Sequence, residues 1–483
     1  MTTSLGRVIP PDTGLMDLEA AELARRTTAG EVSAAALVEA SLARIAERDP
    51  ALNAFSVVLA DVARAEAAER DAARERGEAT GPLHGVPVAI KEELDVAGCV
   101  TTFGGRANST PVAADSEVVA RLRRAGAVVV GKTRMPEFGQ WPFTESVDGG
   151  RTLNPWDPRH TPGGSSGGTA VAVAAGMVPV AIGGDGGGSI RIPSACCGLY
   201  GLKPQRGRVS TAPHPHLWWG LGTVGPLARS VRDSALVYDV LRGTTHADRF
   251  TAAEPATSFV EAAAAEPGRL RIGWSTRSQL PLRHPAAVDA AAVRDTAALL
   301  SDLGHDVREV QPRYPDATAA FLPQFFGGVR DEAEQVEHPD RLERRTRQTL
   351  RLGRWASRRA VERGLRAGER LREKADRIFD DAGIDVLLTP TLGQRPPRAG
   401  VLDGLGAVRA MWVAQPMIAH CALWNLTGQP AAAVPAGLAP DGLPLSVQLV
   451  GRTGAETTLL SLSAQLETAR PWTMPEQTRW ADA

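Results

Sequence analysis

Apolar residues recur every three or four positions between residues 16 and 48, at Leu18, Leu23, Val32, Leu37, Val38, Leu42 and Ile45. That spacing gathers them on one helical face and predicts helix there, with starts at Asp17 and Ser33, residue types whose side chains accept from free N-terminal amides. Residues 57–77, rich in Ala, Glu and Arg, predict a further helix. The rhythm then changes. VPVAI (86–90) and AVVVG (127–131) are short Val-rich runs without polar alternation, the pattern of strands covered on both faces. SEVVARLRRA (116–125) predicts a helix between them. SGGTAVAVAAGM (166–177) is small or apolar all round, which predicts a buried helix, and VPVAI (178–182) follows as a strand.

The same texture returns in LRIGWS (270–275), a helix over 285–303, HDVREV (305–310), DVLLTP (385–390) and LSVQLVG (445–451). Between these, Arg-rich residues 339–380 carry Leu342, Leu350, Leu365, Leu371, Ala375 and Ile378 at helical spacing. They predict a solvated amphipathic helix pair that covers one side of the core. Strands alternating with helices give the α/β class, and its return on both sides of the helical segment predicts one large domain.

Composition narrows the classes. The 483 residues are 43% hydrophobic and 23% charged with net charge −1, enough for a large core and without a basic field for nucleic acid. Four cysteines with no CxxC pair argue against a disulfide scaffold or a structural zinc site. The start, MTTSLGRVIPPDTG, has no cationic stretch leading into an apolar run. The longest near-apolar stretch, 170–184, is interrupted by Pro179. It falls short of the roughly 18–20 residues of a membrane span. A cytoplasmic protein that engages neither membrane nor nucleic acid is expected.

Two motif matches fail on physics. GAVVVGKT (126–133) fits the phosphate-loop pattern, but its middle is strand sequence where a turn is needed. GGSSG (163–167) fits a nucleophile elbow, but NPWDPRHTP before it is no strand.

Chemistry gathers in HGVPVAIKEELDVAG (84–98), TPGGSSGGTA (161–170) and GGDGGGSIRIPSACCGLYGLKP (183–204). Singly, Lys91 reads as a snorkelling lysine, the serines as a helix cap, and the glycines as a flexible loop. A lysine kept from water serves instead as a neutral base, and clustered glycines let main-chain N–H groups approach a ligand. Together the three segments resemble the amidase signature family of hydrolases. GKTRMPEFG (131–139), NPWDP (154–158), GPLARSVRD (225–233), DVLLTPT (385–391), NLTGQPAAAVPAG (425–437) and GLPLSVQLVG (442–451) extend the resemblance, in family order, from about residue 16 to 472.

The resemblance implies a mixed central β-sheet sandwiched between α-helical layers. It implies a single domain over 1–483, with a core of about 16–312 and 384–472 and a helical cover of about 313–383. It implies a serine hydrolase that cleaves amide-type C–N bonds through an acyl-enzyme, and the likeness extends to bacterial amidases that attack carbamates. One acylation mechanism serves amides, esters and carbamates alike. Ser189 matches the nucleophile. Ser165, after a cis peptide from Gly164, matches the bridging serine, and Lys91 matches the base. The N–H groups of Gly186, Gly187, Gly188 and Ser189 are expected to form the oxyanion hole. Asp185 and Arg191 are expected to brace the loop, and Cys197 to be a buried thiol beside Cys196. No cofactor or metal is implied. The expected partner is a small hydrophobic or aromatic amide, and the expected state a monomer or homodimer.

Trp141, Trp218, Trp219, Trp412 and Trp424 stand near the expected pocket segments, and at least two of them are expected to wall an apolar substrate pocket. The alternative within the family is a glutamine-hydrolysing subunit of a tRNA-dependent amidotransferase, which the aromatic stretch TAPHPHLWWG (211–220) suits poorly. Three positions depart from the family pattern. Gly186 replaces a threonine, which is expected to loosen the oxyanion hole or widen the pocket. Glu92-Glu93 replaces Asp-Asn and Gln205 replaces a threonine, both expected to leave the chemistry intact.

Overall fold

The computed structural model describes residues 13–280 and 283–476. Its strands, in chain order, are β1 (Phe55–Val58), β2 (Pro87–Lys91), β3 (Val128–Thr133), β4 (Glu145–Ser146), β5 (Gly150–Arg151), β6 (Val180–Asp185), β7 (Gly201–Lys203), β8 (Thr223–Ala228), β9 (Arg271–Trp274), β10 (Asp306–Glu309), β11 (Val386–Pro390), β12 (Ala431–Leu438) and β13 (Pro444–Gly451). β4 and β5 form a small antiparallel pair. The others build a five-stranded sheet, β1-β3-β2-β6-β8, and a six-stranded sheet, β10-β9-β11-β13-β12-β7. Tyr200 and Ala228 exchange both main-chain hydrogen bonds, at 3.0 and 3.2 Å, and so join β7 to β8 and one sheet to the other. The resulting mixed sheet is parallel at β3-β2-β6 and at β11-β9-β10 and antiparallel elsewhere.

Every residue of β2, β3, β6, β11 and β13 is buried, because helices cover both faces of the sheet. Val88 and Ile90 of β2 enter one core, with the helices Glu117–Arg124, Val231–Leu241 and Glu456–Ala469. Ala89, between them, enters the opposite core, with the helices Ala34–Leu52 and Gly167–Ala174.

Ser33 caps its helix as expected, its Oγ accepting from Ala36 N at 3.1 Å. Asp17 does not start one. The first α-helix begins at Ala20, and the Asp17 carboxylate is drawn off to the Arg44 guanidinium at 2.6 and 2.7 Å. The Arg-rich segment forms the helices Arg344–Leu352 and Arg358–Ala382, preceded by a third, Thr318–Gln335. Val361, Leu365, Ala375, Ile378 and Phe379 turn its apolar stripe inward. Among the described residues, no helix is long and apolar enough to cross a membrane.

Candidate active site

Three chain segments converge on one cavity of about 500 Å³. β2 ends at Lys91. The loop before the helix Gly167–Ala174 supplies Ser165. β6 runs through Asp185 into the glycine loop and Ser189, ahead of the helix Arg191–Cys197. Lys91 is 1% exposed, and its Nζ donates to Ser165 Oγ at 2.8 Å. Ser189, 8% exposed, lines the same cavity. The Gly164–Ser165 peptide is cis. A side chain at Gly164 would put Cβ 2.7 Å from the backbone nitrogen of Phe143, so the turn admits only glycine. Ser166 Oγ donates to Gly184 O at 3.1 Å and accepts from Gly184 N at 3.3 Å, which ties the serine loop to β6.

Asp185 is the hub of the glycine loop that carries Ser189. Its carboxylate accepts from the amides of Gly188 (2.7 Å) and Ile190 (3.1 Å), from Arg191 Nε and Nη2 (both 3.0 Å), and from Asn425 Nδ2 (2.8 Å). Arg191 donates onward to Asn425 Oδ1 at 2.6 Å and Gln448 Oε1 at 2.8 Å. Burial alone would push the Asp185 carboxyl up, but the Arg191 guanidinium and the Asn425 amide outweigh it and hold it well below the usual carboxylate range. Asp185 therefore braces the loop from behind.

That brace takes one of the four donors expected for an oxyanion hole. The Gly188 N–H is taken by Asp185, which leaves Gly186, Gly187 and Ser189 with N–H groups that meet no acceptor among the described residues. Gly188 has φ +125°, and a Cβ there would meet Ile192 Cδ1 at 2.7 Å and Cys421 Cβ at 2.8 Å. A Cβ at Gly186 would meet nothing within 4 Å, so the missing threonine side chain leaves open space. Gly188→Ala is expected to lose about 2 kcal/mol or more of unfolding free energy, whereas Gly186→Ala stays within about 0.5 kcal/mol of the parent. Urea unfolding of the two variants checks this, and equal losses refute it.

The cavity wall is aromatic: Phe103, Phe138, Trp141, Trp218, Phe321 and Phe325 all line it. Phe103, Phe138 and Trp218 hold left-handed backbones at φ +51°, +55° and +48°, a costly conformation for bulky residues that tends to cluster at functional sites. Phe138 N donates to Phe103 O at 2.7 Å. Gly328 of the covering helix leaves room for the Trp218 ring, which a Cβ would meet at 2.8 Å.

Of the five candidate tryptophans, Trp141 and Trp218 line this cavity and the other three do not. Trp219 turns away from its neighbour, stacks on His216 and donates from Nε1 to Asp331 at 2.5 Å. Trp412 is 63% exposed under the Arg283 guanidinium. Its helix turns Met411, Ala414 and Ile418 to the cavity instead, three and four residues apart. Trp424 is fully buried in the core, against Tyr314. Cys196 and Cys197 are buried, and burial pushes both thiols up, away from reactivity.

Asn425 and Gln448, which hold Arg191, escape a sequence reading. A polar residue inside the apolar run LSVQLVG was the available signal, since a buried glutamine needs partners.

The amidase family model matches residues 36–460 of this chain. A Mycobacterium tuberculosis protein named "Putative amidase AmiB2" is 52% identical over 406 residues, covering 83% of this chain and 86% of that protein. The 6-aminohexanoate-cyclic-dimer hydrolase of Paenarthrobacter ureafaciens is 36% identical over 434 residues, 83% of this chain and 86% of its own. Among solved structures, a 6-aminohexanoate cyclic dimer hydrolase complexed with substrate superposes with TM-score 0.88 at 32% identity, over 96% of this chain and 99% of that one. A bacterial aryl acylamidase of the amidase signature family gives 0.82 at 28% identity, over 96% and 98%.

Proposed function

The chain belongs to the amidase signature family of hydrolases acting on amides, and from that premise we propose that it cleaves its substrate through an acyl-enzyme on Ser189. The observation that carries this reading is the Lys91–Ser165 hydrogen bond in a cavity that Ser189 shares. A serine hydroxyl is a weak nucleophile and needs a base. Neutral Lys91 takes the Ser165 proton as Ser165 takes that of Ser189. Ser189 Oγ attacks the carbonyl carbon, and the N–H groups of Gly186, Gly187 and Ser189 receive the oxyanion, each such donor worth about 2.7–4 kcal/mol in the transition state. The proton returns through Ser165 to the leaving nitrogen, the amine departs, and water clears the acyl group by the same route.

The aromatic wall favours a bulky apolar acyl or amine group, and two relatives named for an aryl acyl amide and a cyclic dimer point the same way. The open space at Gly186 adds width beside the reacting carbonyl. Carbamates and aryl esters present the same electrophile to Ser189 and fall within this chemistry. Side-by-side kinetics on anilides, short aliphatic amides, aryl esters and carbamates test the assignment. Anilides are expected to exceed acetamide in kcat/KM by about tenfold or more, as one or two buried apolar groups supply. Equal values overturn the pocket assignment, and no turnover of any class overturns the hydrolase.

A further inference from the structure

Glu93 follows Lys91 by two residues and returns to it in space. Glu93 Oε1 lies 3.0 Å from Lys91 Nζ, with the carboxylate side chain 18% exposed at the cavity. Its neighbour Glu92 points elsewhere, accepting from Thr102 Oγ1 at 2.7 Å and Met135 N at 3.1 Å. The protein makes room for Glu93. A Cβ on Gly184 of β6 would lie 2.1 Å from Glu93 Oε1, and one on Gly139 would lie 3.1 Å from Ser165 Oγ and 3.6 Å from Glu93 Oε2. Two glycines on separate segments thus frame the Ser165–Lys91–Glu93 row.

The other charged groups nearby do not compete for this contact. Glu332, facing from the helix Thr318–Gln335, is pushed up to about 8 by burial and by the charges of Glu93, Asp331 and Asp95, so it is mostly neutral at pH 7. Asp331 accepts from Trp219 Nε1 and Asp95 from Thr101 Oγ1. Asp185 is neutralised by Arg191, and Asp316 on the cavity wall accepts from Thr318 N.

We propose that Glu93 is a positioning residue that holds Lys91 against Ser165 and, through its charge, shapes the pH dependence of the reaction. The proposal rests on the hydrolase reading above and departs from the expectation that Glu92-Glu93 leaves the chemistry intact. A carboxylate held beside an amine favours its ammonium form, and an ammonium accepts no proton. An amine serves as a base only once it has lost its proton. Removing the negative charge lets that proton leave at lower pH.

The test uses the full-length protein, its Glu93→Gln variant and its Gly184→Ala variant. The first removes the charge and keeps an acceptor. In the second, the new Cβ displaces the carboxylate without changing it. kcat/KM and the rate of covalent labelling by a fluorophosphonate are measured from about pH 6 to 10. The acid limb of both profiles is expected to move down by about one unit or more in Glu93→Gln, the size of shift a contacting charge produces, and in the same direction in Gly184→Ala. An acid limb in Glu93→Gln that coincides with the parent's, or a parent profile flat across the range, overturns the proposal. If Glu93→Gln does not fold, Gly184→Ala decides by the same criterion. Label on Ser189 with an unmoved limb removes only the role of Glu93, whereas label on another residue removes the hydrolase reading itself.

Discussion

Ser189→Ala is expected to fold like the parent and to lose nearly all turnover of its substrates. The loop that presents Ser189 is held by Asp185, Arg191, Asn425 and Gln448, and none of those hydrogen bonds uses the Ser189 hydroxyl. The variant therefore loses one oxygen at the cavity and nothing from the brace. Without a nucleophile the remaining amides and the aromatic wall still bind and polarise substrate, so a residue of rate survives. Losses of about 10⁴–10⁶-fold in kcat are the range for deleting a serine nucleophile. Steady-state kinetics and intact mass after fluorophosphonate treatment measure the effect. Activity above about 1% of the parent, far outside that range, or adduct formation on Ser165 would refute the assignment.

The parts of the site that a sequence reveals are those at the ends of strongly patterned elements. Lys91 closes a five-residue buried strand and Asp185 a six-residue one, so both positions are fixed by burial on each face of the sheet. The glycine cluster is legible as a cluster but not as a division of labour. Gly183 and Gly184 lie within β6, paired to Gly225 and Val224, and their missing side chains admit Ser166 and Glu93. Gly188 serves the brace, and Gly186 and Gly187 face the cavity.

The pocket wall was less legible for the opposite reason. Its roof is the helix Thr318–Gln335, which contains Pro323, Gly327 and Gly328, residues that ordinarily break a helical pattern. Tertiary packing overrides that preference, and the same helix delivers Phe321, Phe325 and Glu332 to the cavity. β8 and β12 are masked likewise by Pro226 and Pro435, and β12 by its alanines, which carry little strand preference. Trp412 and Trp424 stand close in sequence to cavity-lining residues, but helical phase turns one to solvent and the other into the core. Sequence proximity places a residue on an element without giving its direction.

Lys91→Met separates the role of the lysine in folding from its role in chemistry. Methionine fills the buried channel of the lysine stem, but Glu93 then faces the cavity with no cation beside it. Breaking a buried ion pair from one side costs about 3–5 kcal/mol when the survivor stays charged. Glu93 is partly exposed, so water offsets part of the lost pairing and the loss of stability falls below that range. The double variant Lys91→Met/Glu93→Gln removes the orphaned charge and is expected to melt above the single variant at neutral pH. Activity follows a different rule. With no amine to receive the Ser165 proton, both variants lose kcat/KM by about 10³-fold or more, toward the upper range for a general base. Thermal melts and kinetics on the same preparations read the two effects independently. A single variant within about tenfold of the parent, or a double variant whose activity recovers along with its stability, would place the base somewhere other than Lys91.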